Sequence, residues 1–271
     1  MGVGADKHFR LLDLGSGNTT PQSLAAHEAP IRTCKWTNIA GTPCLVTGSW
    51  DKKVKYWDLR SNNPAATLEC QDRVYTMDVK NKLMVIGTAD RYIDIVDLGS
   101  PEKFYKTIQS PLKYQTRVVS CFKEANGFAV GSIEGRCAMQ YVEEKDSSSN
   151  FSFKCHRDTS ATNKDVTNVY SVNAISFHPE HGTFSTAGSD GTFHFWDGIA
   201  KHRLKGYPSA GAPITATGFN RQGTIFAYAV GYDWSQGYQK NQPQGSGNGT
   251  KVMLHAVNQD EVKPRPKTTR R

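Results

Sequence analysis

The sequence predicts an all-β chain built as a β-propeller, and three observations carry that expectation. A turn-and-strand string recurs along the chain, its acidic turn residue returns at a nearly even spacing, and no segment of helical length shows an apolar stripe of 3.6-residue period. The string reads GADKHFRLLDL (Gly4 to Leu14), GSWDKKVKYWDL (Gly48 to Leu59), GTADRYIDIVDL (Gly87 to Leu98), GSIEGRCAMQYV (Gly131 to Val142) and GSDGTFHFWDG (Gly188 to Gly198). A degenerate sixth copy, GYDW at Gly231 to Trp234, precedes a Gly/Gln/Asn-rich insertion and a short strand at Lys251 to His255. The turn residues Asp6, Asp51, Asp90, Glu134, Asp190 and Asp233 stand 45, 39, 44, 56 and 43 positions apart. A period of about 40 to 45 residues is that of propeller blades, four strands each.

Each element of the period has its own signal. Upstream of the acidic turn come an aromatic residue, a polar turn and an apolar strand: Trp36 to Gly41, Phe122 to Gly127, Phe177 to Gly182 and Phe219 to Gly223. These are read as hairpin turns. The runs TFSTAGSD and IFAYAVGYD mix small and apolar residues, as strands buried between neighbouring blades should. Blade signatures therefore lie near 4–14, 48–59, 87–98, 131–142, 188–198 and 225–255, and residues 1–257 are assigned to an incomplete propeller. The first signature has no outer hairpin before it. This suggests a seven-bladed parent from which about one and a half N-terminal blades are missing, leaving an unpaired edge. Residues 258–271 are read as a basic disordered tail, with Lys263, Arg265, Lys267, Arg270 and Arg271 among prolines and threonines.

With 271 residues, 37% hydrophobic and 10% aromatic, the chain is long enough to bury a large core. No run approaches the roughly 20 apolar residues of a spanning helix, and the N-terminus lacks the order of a secretory signal, so membrane insertion is not expected and an intracellular location is. The cysteines at 34, 44, 70, 121, 137 and 155 have no C-x-x-C spacing and are read as reduced core residues. His178 and His181 lack a third ligand for a metal, and GSGNG (Gly245 to Gly249) lacks the Lys-Ser pair of a phosphate loop. No metal, cofactor, small-molecule substrate or catalytic site is therefore assigned. The formal charge is +8, from 33 Lys and Arg against 25 Asp and Glu, which favours polyanions or acidic partner segments.

The turn-Asp and Trp-Asp strings resemble the WD-repeat family. That resemblance implies a buried network in each good blade: a His before the first strand, a Ser or Thr, the turn Asp and the Trp. The matching residues are His27, Thr47 or Ser49, Asp51 and Trp57, with Asp90, Asp190 and Trp196 in other blades. These are structural assignments, and the His-Ser-Asp combination is not a hydrolase triad.

Beyond the repeat, GSWDKKVKYWD, SPLKYQTR (Ser110 to Arg117), GSIEGR (Gly131 to Arg136), FSFKCHR (Phe151 to Arg157), YSVNAISFHPEHGTFSTAGSDGTFHFWD (Tyr170 to Asp197) and IFAYAVGYDWSQG (Ile225 to Gly237) look like the nuclear mRNA export factors of the Rae/Gle type. The resemblance runs from Gly4 to Pro264. A sibling family, the Bub-type mitotic checkpoint adaptors, shares the SLKYQTR-, SIEGR- and FKCHR-like strings. Its alternative function is binding GLEBS-like segments of checkpoint kinases.

The export-factor resemblance implies a non-enzymatic adaptor that docks the GLEBS motif, a short acidic helical hairpin of an FG-repeat nucleoporin. It further implies support of mRNA export at the nuclear pore, residence in the nucleus and nuclear envelope, and some cytoplasmic presence. Arg136 and Lys154 are the expected partners of GLEBS glutamates, with Arg157, Lys113 and Arg117 as further cations and Trp50 as an apolar anchor. The competing reading is a solvated basic rim and a tryptophan packed against an adjacent loop. Lys201, Arg203 and Lys205 match a family segment that contacts single-stranded RNA and that a viral matrix protein competes for, although Gly198 stands where the family has lysine. For that group a solvated turn is the alternative.

Overall fold

The middle strand of several periods carries an unbroken run of buried residues: Cys44 to Ser49, Leu83 to Thr88, Gly127 to Ser132 and Phe184 to Gly188. Alternation of inside and outside fails there because both faces of the strand are covered, which is what the mixed small and apolar runs in the sequence foreshadow. The computed structural model describes all residues except 14, 18, 161, 242–249 and 266–271. Leu14 of the first signature, the GSGNG stretch and Lys267, Arg270 and Arg271 of the expected tail therefore lie outside the described residues. The fold class is the all-β propeller that the repeat predicts, made of antiparallel meanders of repeated sheets.

The chain divides into two compact units, Met1–Cys121 and Phe122–Arg271. The first opens with a three-stranded sheet, β1 (Gly2–Val3), β2 (His8–Leu11) and β3 (Gln22–Ala25). A four-stranded sheet follows in chain order: β4 (Ile31–Ile39), β5 (Thr42–Ser49), β6 (Lys53–Trp57) and β7 (Ala66–Glu69). A second one comprises β8 (Val74–Lys80), β9 (Leu83–Thr88), β10 (Tyr92–Asp97) and β11 (Lys106–Gln109), and β12 (Thr116–Cys121) ends the unit. Phe9, Ile31, Leu45 and Trp57 form one buried cluster, while Val46, Tyr56, Leu68, Met77 and Ile86 belong to another. Asp78 of β8 stitches the first strands together. Its carboxylate is 2.8 Å from Lys35 Nζ of β4 and accepts the Cys121 N–H of β12 at 2.8 Å.

The second unit contains β13 (Gly127–Ser132), β14 (Arg136–Tyr141) and β15 (Phe151–Lys154), then a hairpin of β16 (Arg157–Thr159) and β17 (Thr167–Val169). A four-stranded sheet follows, β18 (Val172–Phe177), β19 (Phe184–Gly188), β20 (Phe193–Asp197) and β21 (His202–Gly206). The last sheet has three strands, β22 (Ile214–Phe219), β23 (Ile225–Val230) and β24 (Lys251–Ala256). Its core is aromatic, with Phe193, Phe195 and Phe226 buried beside Ile214. The amide of Asn173 reaches from β18 to the Ile214 carbonyl at 3.0 Å, tying successive first strands by a side chain.

The segment assigned to a disordered tail is packed as far as Arg265. Asn258 and Glu261 form a capping box on a short helix, α1 (Gln259–Val262). Val262 is buried in the aromatic core, Glu261 pairs with His255 at 3.0 Å, and Arg265 donates to the Leu204 carbonyl.

Candidate partner-binding surfaces

The buried histidines form relays whose proton positions follow from the donors available. In the first unit Trp57 Nε1–H, a donor only, points to Thr47 Oγ1 at 2.8 Å. The hydroxyl must then donate to His27 Nε2 at 2.7 Å, so that Nδ1–H of His27 donates to Asp51 at 2.8 Å. Asp51 also accepts the N–H groups of Glu28 and Lys53, and these bonds hold its carboxyl below the usual range against the opposing effect of burial. The hydroxyl in the relay is Thr47 and not Ser49. Ser49 lies at the strand end, where its Oγ reaches the Ala29 and Pro30 carbonyls at 3.0 and 2.9 Å.

The second unit repeats the relay with Trp196, Thr186, His156 and Asp190, at 2.9, 3.0 and 2.9 Å. His156, which the sequence reading left without a role inside the FSFKCHR string, is thus a fully buried structural residue. Asp90 is a correction. It is exposed in a left-handed turn (φ 57°), and its blade has Thr88 bonded to local carbonyls in place of a His-Thr-Trp set. No histidine or tryptophan occurs between Ala66 and Leu98 to receive a relay.

Three of the predicted acid-binding cations meet at one end of the second unit's first sheet. Arg136 opens β14 and Lys154 closes β15, and the two are directly paired in register. Lys154 is exposed, and the Arg136 side chain is 32% exposed, 3.9 Å from Glu134. Arg157 differs: its Nε and Nη2 donate to the Glu134 carbonyl at 3.1 and 2.6 Å, and it lies 3.8 Å from the same carboxylate. It is a tie that braces the turn, and its remaining exposure is small. Glu134 therefore stands between two arginines, a pairing that the acidic-turn signature did not reveal. Gly135 between them has φ +62°, and a Cβ there would come within 2.5 Å of the His156 carbonyl.

Lys113 and Arg117 belong to the first unit, Lys113 exposed before β12 and Arg117 partly exposed on it. Trp50 also belongs there. It is 42% exposed at the turn after β5, and its N–H donates to the Pro30 carbonyl at 3.0 Å.

The second cationic group sits at the other end of the strands. Lys201, in a left-handed turn (φ 58°) after β20, places its ammonium 4.7 Å from the ring centre of Phe151. Phe151 begins β15 and Lys154 ends it, so the two cationic groups are separated along that strand. Arg203 and Lys205 alternate with buried Leu204 on β21 and face solvent. Phe153 packs tilted against Trp196, with ring centres 4.6 Å apart, an aromatic pair that the sequence reading did not assemble.

His178 and His181 do not form a metal pair. The Nδ1 of His178 accepts the N–H groups of Glu180 and His181, its Nε2 faces the Gly223 carbonyl at 3.2 Å, and His181 bonds to Gln259. One group of potential ligands does converge among the described residues: His156, Asp190 and His194, with ligand atoms within 4.8 Å of one another. The Thr192 hydroxyl fills its centre, 2.8 Å from Asp190 and 3.3 Å from a nitrogen of each histidine. His194 is nearly buried, with Nδ1 unpaired, and burial pushes its imidazole down to about 4.

Comparison with known proteins agrees with the repeat. The family described as "WD domain, G-beta repeat" matches residues 18–58 and 151–197. The mRNA export factor GLE2 of Chaetomium thermophilum is 67% identical over 271 residues, covering 100% of this chain and 74% of that protein. The Poly(A)+ RNA export protein of Schizosaccharomyces pombe is 50% identical, covering 98% of this chain and 73% of that one. Among solved structures, a chain of a mitotic checkpoint complex superposes with a TM-score of 0.68 at 18% identity, over 84% of this chain and 65% of that chain, a likeness of fold alone.

Proposed function

Because the chain belongs to the family of WD-repeat mRNA export factors, we propose that it is a non-enzymatic adaptor of mRNA export that docks the acidic GLEBS hairpin of an FG-repeat nucleoporin. The observation that carries this reading is the in-register pairing of Arg136 with Lys154, two cations side by side at one strand end with a brace of backbone bonds beneath them. Arg136 offers a fork that can hold a carboxylate bidentately, and Lys154 a point charge beside it. Trp50 supplies an exposed aromatic anchor of the kind that fills a partner's apolar pocket. Lys201, Arg203 and Lys205, beside the Phe151 and Trp196 rings, suit a salt-sensitive contact with single-stranded RNA. The His-Asp pairs are locked in structural relays, which leaves no catalytic role for them. Residence at the nuclear pore follows from this reading.

The test is titration of a synthetic GLEBS hairpin into the purified chain. Charge reversal by Arg136→Glu should weaken binding tenfold or more, since it replaces an attraction by a repulsion worth at least about 1.4 kcal/mol. Unchanged affinity in that variant would remove the site.

A further inference from the structure

The loop after β23 carries an aromatic group that the reading above does not use. Trp234 is 59% exposed and Tyr238 is 78% exposed, and the rings of Tyr232 and Trp234 lie 5.7 Å apart. Exposed aromatics on a floppy loop would mean little, but this loop is fastened. Asp233 accepts bonds from Asn173 and Ser189 of the preceding sheet and from the Ser235 N–H. The phenol of Tyr232 donates to the Gly237 carbonyl at 2.6 Å and accepts the Gln236 N–H at 3.1 Å. Trp234 is held in the left-handed region (φ 63°), an uncommon conformation for a bulky residue.

The electrostatic setting points to a polyanion. Between residues 198 and 258 the sequence has six lysines and arginines and a single carboxylate, Asp233, which is buried and fully engaged in the bonds just described. Lys240 ends the turn that carries Tyr238, and Lys251 begins β24, paired in register with Val230 just before the loop. Exposed aromatic rings followed along the chain by exposed lysines, in a stretch whose single carboxylate is buried, are the makings of a base-stacking platform.

We infer that the 232–240 loop stacks the bases of single-stranded RNA on Trp234 and Tyr238, with Lys240 and Lys251 neutralising the adjoining phosphates. This deepens the RNA half of the function proposed above, and it rests on that reading only for the class of ligand. The residues are different ones: Asp233 is bonded beside the 189–192 turn, at the strand end opposite Lys201.

The experiment is fluorescence anisotropy of labelled decauridylate with the full chain, run alongside a decamer of the same backbone lacking bases. Stacking predicts that the wild-type chain prefers the oligonucleotide with bases. Trp234→Ala should weaken decauridylate binding roughly tenfold or more, with an unchanged dependence on salt. Lys240→Ala should instead flatten the salt dependence. Trp234→Tyr should restore most of the affinity, and all variants should keep the wild-type melting temperature because the indole is exposed. Equal wild-type affinity for both decamers, or an unaltered Kd in Trp234→Ala, overturns the inference. So does a decaglutamate that binds as tightly as decauridylate and is lost in the same variant, since the loop would then be a peptide site. Failure of Lys201→Glu or Arg203→Glu to affect binding would count against the RNA contact proposed earlier and leave the loop untouched.

Discussion

Mild acid should destabilise the protein through His194, and the size of the effect can be worked out. The imidazole is 9% exposed, stacks on His156 at 5.2 Å and meets Trp196 edge-on at 5.9 Å. Burial, with smaller contributions from His156 and Arg203 and against the pull of Asp190, pushes its titration down to about 4 from about 6.5. The unfolded chain therefore takes up a proton between those values while the native chain resists it. Stability is full above pH 6.5 and is lost as the pH falls towards 4. Linkage over that window gives a loss of about 2 kcal/mol between pH 7 and pH 5. Urea midpoints at the two pH values measure it, with His194→Phe as the comparison. Phenylalanine keeps the ring and leaves Thr192 bonded to Asp190, but it cannot titrate. Burial also depresses His27 and His178, but their contributions are common to both proteins and cancel. The wild-type chain should lose about 2 kcal/mol more than the variant on acidification. Identical pH dependences would refute the argument.

Other outcomes follow from the same geometry. Thr47→Val should cost about 2 to 4 kcal/mol in thermal unfolding, because it strands the buried Trp57 Nε1 and His27 Nε2, whereas Ser49→Ala, which loses one hydroxyl shared between the Ala29 and Pro30 carbonyls, should cost about 1 kcal/mol. Gly223→Ala should lower the melting temperature by several degrees, since φ is +73° and a Cβ would sit 2.3 Å from His178 Nε2. Glu134→Gln should tighten binding of an acidic hairpin measured by calorimetry, because it removes the internal carboxylate that competes for Arg136. Lys201→Glu together with Arg203→Glu should reduce the slope of log affinity against log salt for single-stranded RNA by about 1 to 2.

The repeat was readable because its residues are dictated by chemistry that recurs. Each good blade needs an acidic turn, a hydroxyl and an indole at fixed offsets, and the spacing of Asp51 and Asp190 reports it directly. The choice between Thr47 and Ser49 was not readable. Two residues apart on a strand, they face the same side, and only the strand end decides which reaches the histidine. Asp90 kept the signature while the rest of its relay is missing, so a turn motif alone overstates the network. The capping box at Asn258 and Glu261 went unread, because the prolines and basic residues after it suggested a tail and masked one buried valine. The bracing of Arg157 by Glu134 depends on a turn conformation that no pattern of charges reveals.

The 151–154 strand has a further consequence. With Lys201 against the Phe151 ring at its start and Lys154 at its end, the strand holds two cationic groups roughly 10 Å apart. The ends of a hydrogen-bonded strand cannot approach one another, so no single small anion neutralises both groups, and a ligand that engages both has to span that length.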